Sequence, residues 1–243
     1  MYAIFIKELN SFFSSLTGII AAIVFLIVNG LFMWVFPGEL NVLDSGYASL
    51  DTFFIIAPWV MLFLVPAVTM RLFSEEKRSG TIELLLTRPI SDTQIILGKY
   101  LASIVLVIII LLPALIFFLS VYLLGNPVGN IDTGGTWGSF IGLFFLSAAY
   151  ASIGVFASSI TENQIVSFIL AILLSFIVFI GLESVASVHS LKKIQFLLVN
   201  LGINEHYKSL SRGVIDSRDV VYFVALSAIF VLSTRTLVQS RKW

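Results

Sequence analysis

Six apolar runs, each long enough to cross a bilayer, constrain this chain more than any other feature. They lie at about Leu16–Phe36, Thr52–Phe73, Tyr100–Leu124, Trp137–Ser159, Ile165–Val185 and Val220–Val238. A membrane-spanning helix needs roughly 20 consecutive apolar residues, and every run meets that length or comes close to it. Charged residues make up 12% of the chain and hydrophobic ones 58%, whereas soluble domains carry roughly a quarter charged residues. The longest polar segments, Arg71–Lys99 and His189–Arg218, are shorter than the ~40 residues below which a domain rarely folds unaided. The expected fold is therefore an all-α membrane protein with six transmembrane helices, forming one transmembrane domain over residues 1–243. The first run is too long for the apolar region of a signal peptide and lacks an Ala-x-Ala cleavage site, so it is expected to stay as a span.

What the chain lacks narrows its function. Net charge is zero, which gives no electrostatic case for nucleic acid. There is no cysteine, hence no disulfide, thiolate metal site or thiol nucleophile. Two histidines, His189 and His206, are too few for a histidine-rich metal centre. No Gly-x-x-x-x-Gly-Lys-Ser/Thr loop cradles a nucleotide phosphate, and no His-Glu-x-x-His pair holds zinc. The spans contain neither paired aspartates nor a serine facing a histidine, so an intramembrane protease is disfavoured. Ionisable residues are almost missing from the spans, unlike those of proton-coupled carriers. No catalytic residue, cofactor or metal is expected, and any work the protein does must draw on energy from elsewhere.

Sidedness follows from the loops. Met70–Ser91 holds four of the fourteen Lys and Arg residues, Arg71, Lys77, Arg78 and Arg88, and loops rich in these residues stay in the cytoplasm. Pro37–Asp51 and Gly125–Thr136 carry acids without Lys or Arg and read as external. Ser184–Arg218 is basic, yet counting spans places it outside; the charge rule weakens over longer loops. Its apolar piece Ile194–Ile203 is too short to span and is expected to lie on or dip into the membrane. Both termini then fall in the cytoplasm.

Local signals refine this layout. Met1–Ser15 reads as an interfacial helix with Phe5, Leu9, Phe12 and Phe13 on one side, a frayed terminus being the alternative. Asn29 is expected to bond a neighbouring helix. Pro58 and Pro66 should bend the second span, either to line a pathway or only to shape packing. Ser91-Asp92-Thr93-Gln94 reads as a capping box that starts a helix running through Lys99 and Tyr100, at the interface, into the third span. That span is interrupted at Pro113. Gly138, Gly142, Ser147, Ala151, Gly154 and Ser158 give the fourth span small residues at helical spacing, for close packing within the subunit or across a dimer. Glu183, the one acid near the apolar zone, is expected at the interface.

Within Met70–Ser91, the segment Thr81–Thr87 reads as a short helix, and three successive leucines, Leu84, Leu85 and Leu86, are too greasy for a bare loop. They either lie on the membrane surface or fill a groove in another protein. The run Glu75-Glu76-Lys77-Arg78-Ser79-Gly80-Thr81-Ile82-Glu83-Leu84-Leu85-Leu86, followed by Pro89, resembles the first cytoplasmic loop of ABC-2-type transporter permeases. The six-span layout with a short amphipathic N-terminus is similar to the gliding-motility branch of that family. The resemblance implies an N-terminal elbow helix, a short cytoplasmic coupling helix and an external return segment before the last span. It also implies a bacterial inner-membrane permease that is not itself an enzyme, driven by a separate cytoplasmic ABC ATPase. A second permease-type subunit, as homo- or heterodimer, and an auxiliary membrane subunit are the other expected partners. In that frame Gly80 gives the chain freedom to turn and Leu84–Leu86 fill the ATPase groove. Glu75, Glu76, Lys77, Arg78 and Glu83 pair with charges around that groove, while Thr81 and Pro89 complete the motif. A non-transporting membrane scaffold that anchors a cytoplasmic partner is the competing reading.

Overall fold

The computed structural model describes residues 1–14, 16–86, 90–187 and 195–240. Among them every regular element is a helix and there is no strand. Six helices are long and apolar enough to cross a membrane: Gly18–Val35, Asp51–Arg78, Asp92–Leu124, Thr133–Ile160, Gln164–Ala186 and Ser217–Ser240.

In chain order, α1 (Tyr2–Phe13) precedes α2 (Leu16–Gly30), which ends in a π-helical turn at Leu31–Val35. A short α3 (Val42–Ser45), capped by the Asn41 side chain, leads to α4 (Asp51–Thr69). Past a turn at Met70, α4 continues as α5 (Arg71–Arg78), and α6 (Thr81–Leu86) folds back from it. The third span is α7 (Asp92–Leu111) and α8 (Leu115–Leu124), joined by a 3₁₀ turn at Leu112–Ala114. Pro113 lacks the N–H that an unbroken α-helix would use there. The fourth span, α9 (Thr133–Ile160), is a single helix. The fifth runs through α10 (Gln164–Phe176), a π turn at Ile177–Gly181 and α11 (Leu182–Ala186). The return segment holds α12 (Gln195–Leu201) and α13 (Ile203–Leu210), and α14 (Ser217–Ser240) is the last span.

The bundle is organised around α9, which packs against α4, α5, α7, α10, α13 and α14. Its small residues make that possible. A Cβ on Gly154 would fall 1.9 Å from Thr69 Oγ1, and one on Gly138 would fall 2.6 Å from the Gly213 carbonyl oxygen. The α9 backbone therefore touches α4 and the return segment directly. Gly142 lies under Leu210, and Ser147, Ala151 and Ser158 are buried. The stripe packs against the chain's own helices.

The outer spans show apolar side chains to the surroundings, as with Ile20, Ile23 and Ile27 on α2 and Ile165, Ile169 and Leu173 on α10. For a multi-pass membrane protein these are lipid-facing surfaces. Both α1 and the last turns of α14 lie at the end of the bundle that carries α6, where Ile4 and Val238 join Leu72, Phe73, Ile95 and Val155 in one apolar cluster. This is called the α6 end below; α3, α12 and α13 mark the far end.

Some local expectations are met and others are corrected. Arg71–Arg78 is helical and half-buried, because Leu72 and Phe73 carry the apolar face of the second span one turn further. The third span's helix begins at Asp92 with the expected capping box, Ser91 Oγ accepting from the Gln94 N–H and Gln94 Oε1 from the Ser91 N–H, both at 3.3 Å. On α1 the buried residues are Ile4 and Phe12, whereas Phe13 is exposed. Asn29 donates to the Phe25 carbonyl of its own helix at 2.8 Å and not to a neighbour. Glu183 faces the return segment, accepting from Asn204 Nδ2 at 2.5 Å and Lys208 Nζ at 3.1 Å. Most of Ile194–Ile203 is helical, and from Gly202 the chain turns into α13, which buries Ile203, Tyr207 and Leu210 in the bundle. Ile194 lies outside the described residues.

Candidate energy-coupling site

The two faces of α5 differ sharply. Leu72, Phe73, Ser74, Glu76 and Lys77 are buried, while Glu75 and Arg78 are exposed. Residues four apart share a helix face, so Leu72 with Glu76 and Phe73 with Lys77 point the same way. That side packs on α9 and α10. A helix with two charges on its inward face needs partners for both, since a buried unpaired charge costs several kcal/mol.

Glu76 finds its partners on two other helices. Lys99 of α7 is fully buried. Its Nζ donates to Glu8 Oε1 of α1 at 2.6 Å and to the Leu72 carbonyl at 2.5 Å, and it forms an ion pair with Glu76 Oε2 at 3.0 Å. The Phe73 ring lies beneath the same ammonium, 5.0 Å from centroid to nitrogen, a favourable placement for a cation. Lys7 of α1 donates to the other Glu76 oxygen, Oε1, at 2.5 Å. Two cations and two anions thus close a neutral cluster that clamps α1, α5 and α7 together. Burial alone depresses the Lys7 ammonium, but the hydrogen bond and charge of Glu76, with Glu8 behind, outweigh it. Its pKa stands above the usual lysine value.

Lys77 has a separate task. Its Nζ donates to the Ser159 carbonyl in the last turn of α9, where helix carbonyls lack intrahelical donors and the helix dipole favours a cation. The end of the second span is thereby pinned to the end of the fourth.

The chain leaves this anchored helix through Gly80, whose φ of +70° is a left-handed conformation that glycine adopts without strain. Ser79 Oγ donates to the Glu75 carbonyl at 2.9 Å and lies 2.8 Å from Thr81 Oγ1, which tightens the turn. On α6, Thr81 and Glu83 are exposed and Ile82 is half-buried. The side chains of Leu84, Leu85 and Leu86, and all of Arg88 and Pro89, lie outside the described residues. Beside α5, the turn between α9 and α10 brings Glu162, Asn163 and Gln164 against Arg78 around an open groove of about 490 Å³.

Of the residues expected to meet a partner, Glu75, Arg78, Gly80, Thr81 and Glu83 are exposed together on one hairpin. Glu76 and Lys77 are turned inward and hold the chain's own helices. Lys7, Glu8 and Lys99 were not anticipated as members of this site. Their signal in the sequence is a charged residue in a strongly apolar neighbourhood, such as Lys99 between Ile96 and Leu101.

Among the described residues no three His, Asp or Glu side chains gather where they could hold a metal ion, and no nucleophile meets a base at the hairpin. The arrangement is an exposed hairpin with a helix anchored behind it, and ion pairs that join that helix to α1 and α7. No curated protein matches the chain in sequence. The hairpin, the six spans and the small-residue hub all fall within residues 18–240, and residues 41–200, about two thirds of the chain, match the model of the ABC-2 family transporter protein, so the chain belongs to that family.

Proposed function

We propose that this chain is the membrane subunit of a transporter in which a cytoplasmic ABC ATPase docks on the α5–α6 hairpin. The family's membrane subunits have no catalytic activity of their own, and membership implies partnering with an ABC ATPase. The reading beyond that rests on one observation: the hairpin is exposed at its tip and bound at its root, through Glu76 and Lys77, to α1, α7 and α9. A push on Thr81–Leu86 therefore reaches four helices at once. In this reading the α6 end faces the cytoplasm, both termini lie there, and the protein resides in a bacterial inner membrane. Leu84–Leu86 fill the ATPase groove, Pro89 belongs to the same motif, and exposed Glu75, Arg78, Thr81 and Glu83 set the register. A second permease-type subunit completes the pathway, with an auxiliary membrane subunit in the gliding-motility branch. The ground for that branch is the layout of spans and elbow helix; the family match reaches the ABC-2 family and no further.

Leu85→Asp tests the docking. In the purified complex with its ATPase, this variant should insert normally, yet ATP turnover should fall to the level of the free ATPase. Unchanged stimulation of turnover would remove the docking role. Tight binding without any change in turnover, in the wild type, would instead make the chain a scaffold. Sidedness is independently accessible because the chain has no cysteine. A single cysteine at Glu83 should resist an impermeant maleimide in intact cells, and one at Tyr47 should react.

A further inference from the structure

An apolar groove lies on the flank of the bundle, away from the hairpin. It lies between α7, α9 and α14 and has a volume of about 520 Å³. Leu97 and Ile104 form one wall, Val224 and Leu232 the other, and Phe144 and Phe145 lie between them. Phe145 stacks on Phe223 at 6.2 Å, and the Tyr100 hydroxyl donates to the Ala148 carbonyl at 3.3 Å, so that hydroxyl is satisfied within the protein. Val224 and Leu232, each 56% exposed, stand at the rim.

The groove begins at Thr93, in the first turn of α7 at the α6 end, and stops near Ile104. Eleven residues of helix rise ~16 Å, about half of a ~30 Å hydrocarbon core. It therefore occupies one leaflet. An acyl chain of one leaflet matches this length and the apolar lining.

The mouth is charged. Arg235 follows Leu232 by three residues and Val231 by four, so it leaves α14 on the groove's side, one turn nearer the α6 end. It is exposed and has no ion-pair partner among the described residues. Thr93 lines the same end of the groove.

We propose that this groove binds one anionic phospholipid from the leaflet at the α6 end, with an acyl chain along Leu97, Ile104 and Phe144 and its phosphate at Arg235 and Thr93. The site does not depend on which compartment the α6 end faces, nor on ATPase docking. Native mass spectrometry of the full chain, released from detergent with phosphatidylglycerol or phosphatidylcholine added, tests it. One phosphatidylglycerol should be retained about fivefold more tightly than phosphatidylcholine, the effect of one cation beside an anionic headgroup. Arg235→Gln should make the two lipids equal while leaving one bound. Val224→Trp, at an exposed rim position where folding is not at stake, should block the groove and lose the bound lipid with either headgroup. Equal retention of both lipids by the wild type, or undiminished retention in Val224→Trp, would overturn the assignment. So would a Val224→Trp chain that loses a dimer in place of a lipid, since the groove would then belong to a second copy.

Discussion

The Tyr207 hydroxyl donates to the carbonyl of Phe54 at 2.7 Å, and that carbonyl is free because the residue one turn on is Pro58. Proline has no N–H to return to the carbonyl four residues back. The return helix α13 thus supplies, from far along the chain, the donor that α4 lacks. In a membrane protein this matters, because no water is at hand to satisfy a buried carbonyl. Tyr207→Phe keeps the ring and removes only the donor. It should lower stability by about 1–3 kcal/mol, the cost of a buried polar group left unpaired. Restoring an N–H with Pro58→Ala should recover much of this loss, and thermal denaturation of the purified chain in detergent reads both effects. Additive losses in the double variant would show that the two residues act separately.

Lys99 is the residue whose loss should be felt in the most places. Lys99→Met leaves Glu8 and Glu76 with Lys7 as their only cation, and should destabilise the chain by about 3–5 kcal/mol, as removal of one member of a buried ion pair does. Neutralising an acid as well, in Lys99→Met with Glu8→Gln, should return part of that stability. Hydrogen exchange would report faster exchange in both α1 and the first turns of α7. A change confined to α7 would mean that the cluster does not hold α1.

Gly154 and Thr69 mark where the second and fourth spans come closest. A methyl group at Gly154 overlaps Thr69 Oγ1 and lies 2.9 Å from its Cβ, so relief requires the two helices to part. Gly154→Ala should cost about 1–3 kcal/mol, the usual range for overpacking. Thr69→Ala in the same chain should recover part of it. A melting temperature unchanged in Gly154→Ala would show that these helices separate easily.

The Lys7 contact should be insensitive to pH across the physiological range. A lysine whose pKa is raised on folding contributes its full stability below the ordinary value of 10.5, and loses it as pH rises through the higher folded value. Limited proteolysis at the start of the chain should therefore stay constant from neutral to mildly alkaline solution and accelerate only in strong base. Lys7→Met should show the faster cleavage at every pH. Release of the N-terminus near neutral pH in the wild type would contradict this placement of the Lys7 ammonium.

The spans and their breaks were legible because they depend on local rules. Length and apolarity mark a membrane crossing, Pro113 marks the 3₁₀ turn, and Ser91 with Gln94 marks the start of α7. The inward turn of Glu76 and Lys77 was not. Both lie in a polar run that reads as a water-facing loop, and their burial depends on groups far away in sequence: Lys99 in the next span and the Ser159 carbonyl at the end of the fourth. The small residues of α9 could be recognised as a packing stripe, yet spacing alone does not tell whether the opposing helix belongs to the same chain. That answer came from Thr69, Leu210 and Gly213, none of which carries a pattern that pairs it with α9. Tyr207 could have been sought from Pro58, since a proline within a span implies an unmet carbonyl, but nothing nearby in sequence names the donor.

The ion-pair cluster also sets an order of assembly during synthesis. Glu76 follows Lys7 by 69 residues and Lys99 follows Glu8 by 91. Glu76 arrives at the end of the second span and can meet Lys7, but Glu8 has no buried cation to meet until Lys99 is made with the third span. The cluster is therefore complete only after three separate stretches have been made, and a nascent chain truncated before Lys99 should hold α1 through the Lys7–Glu76 pair alone, less firmly than the full cluster does.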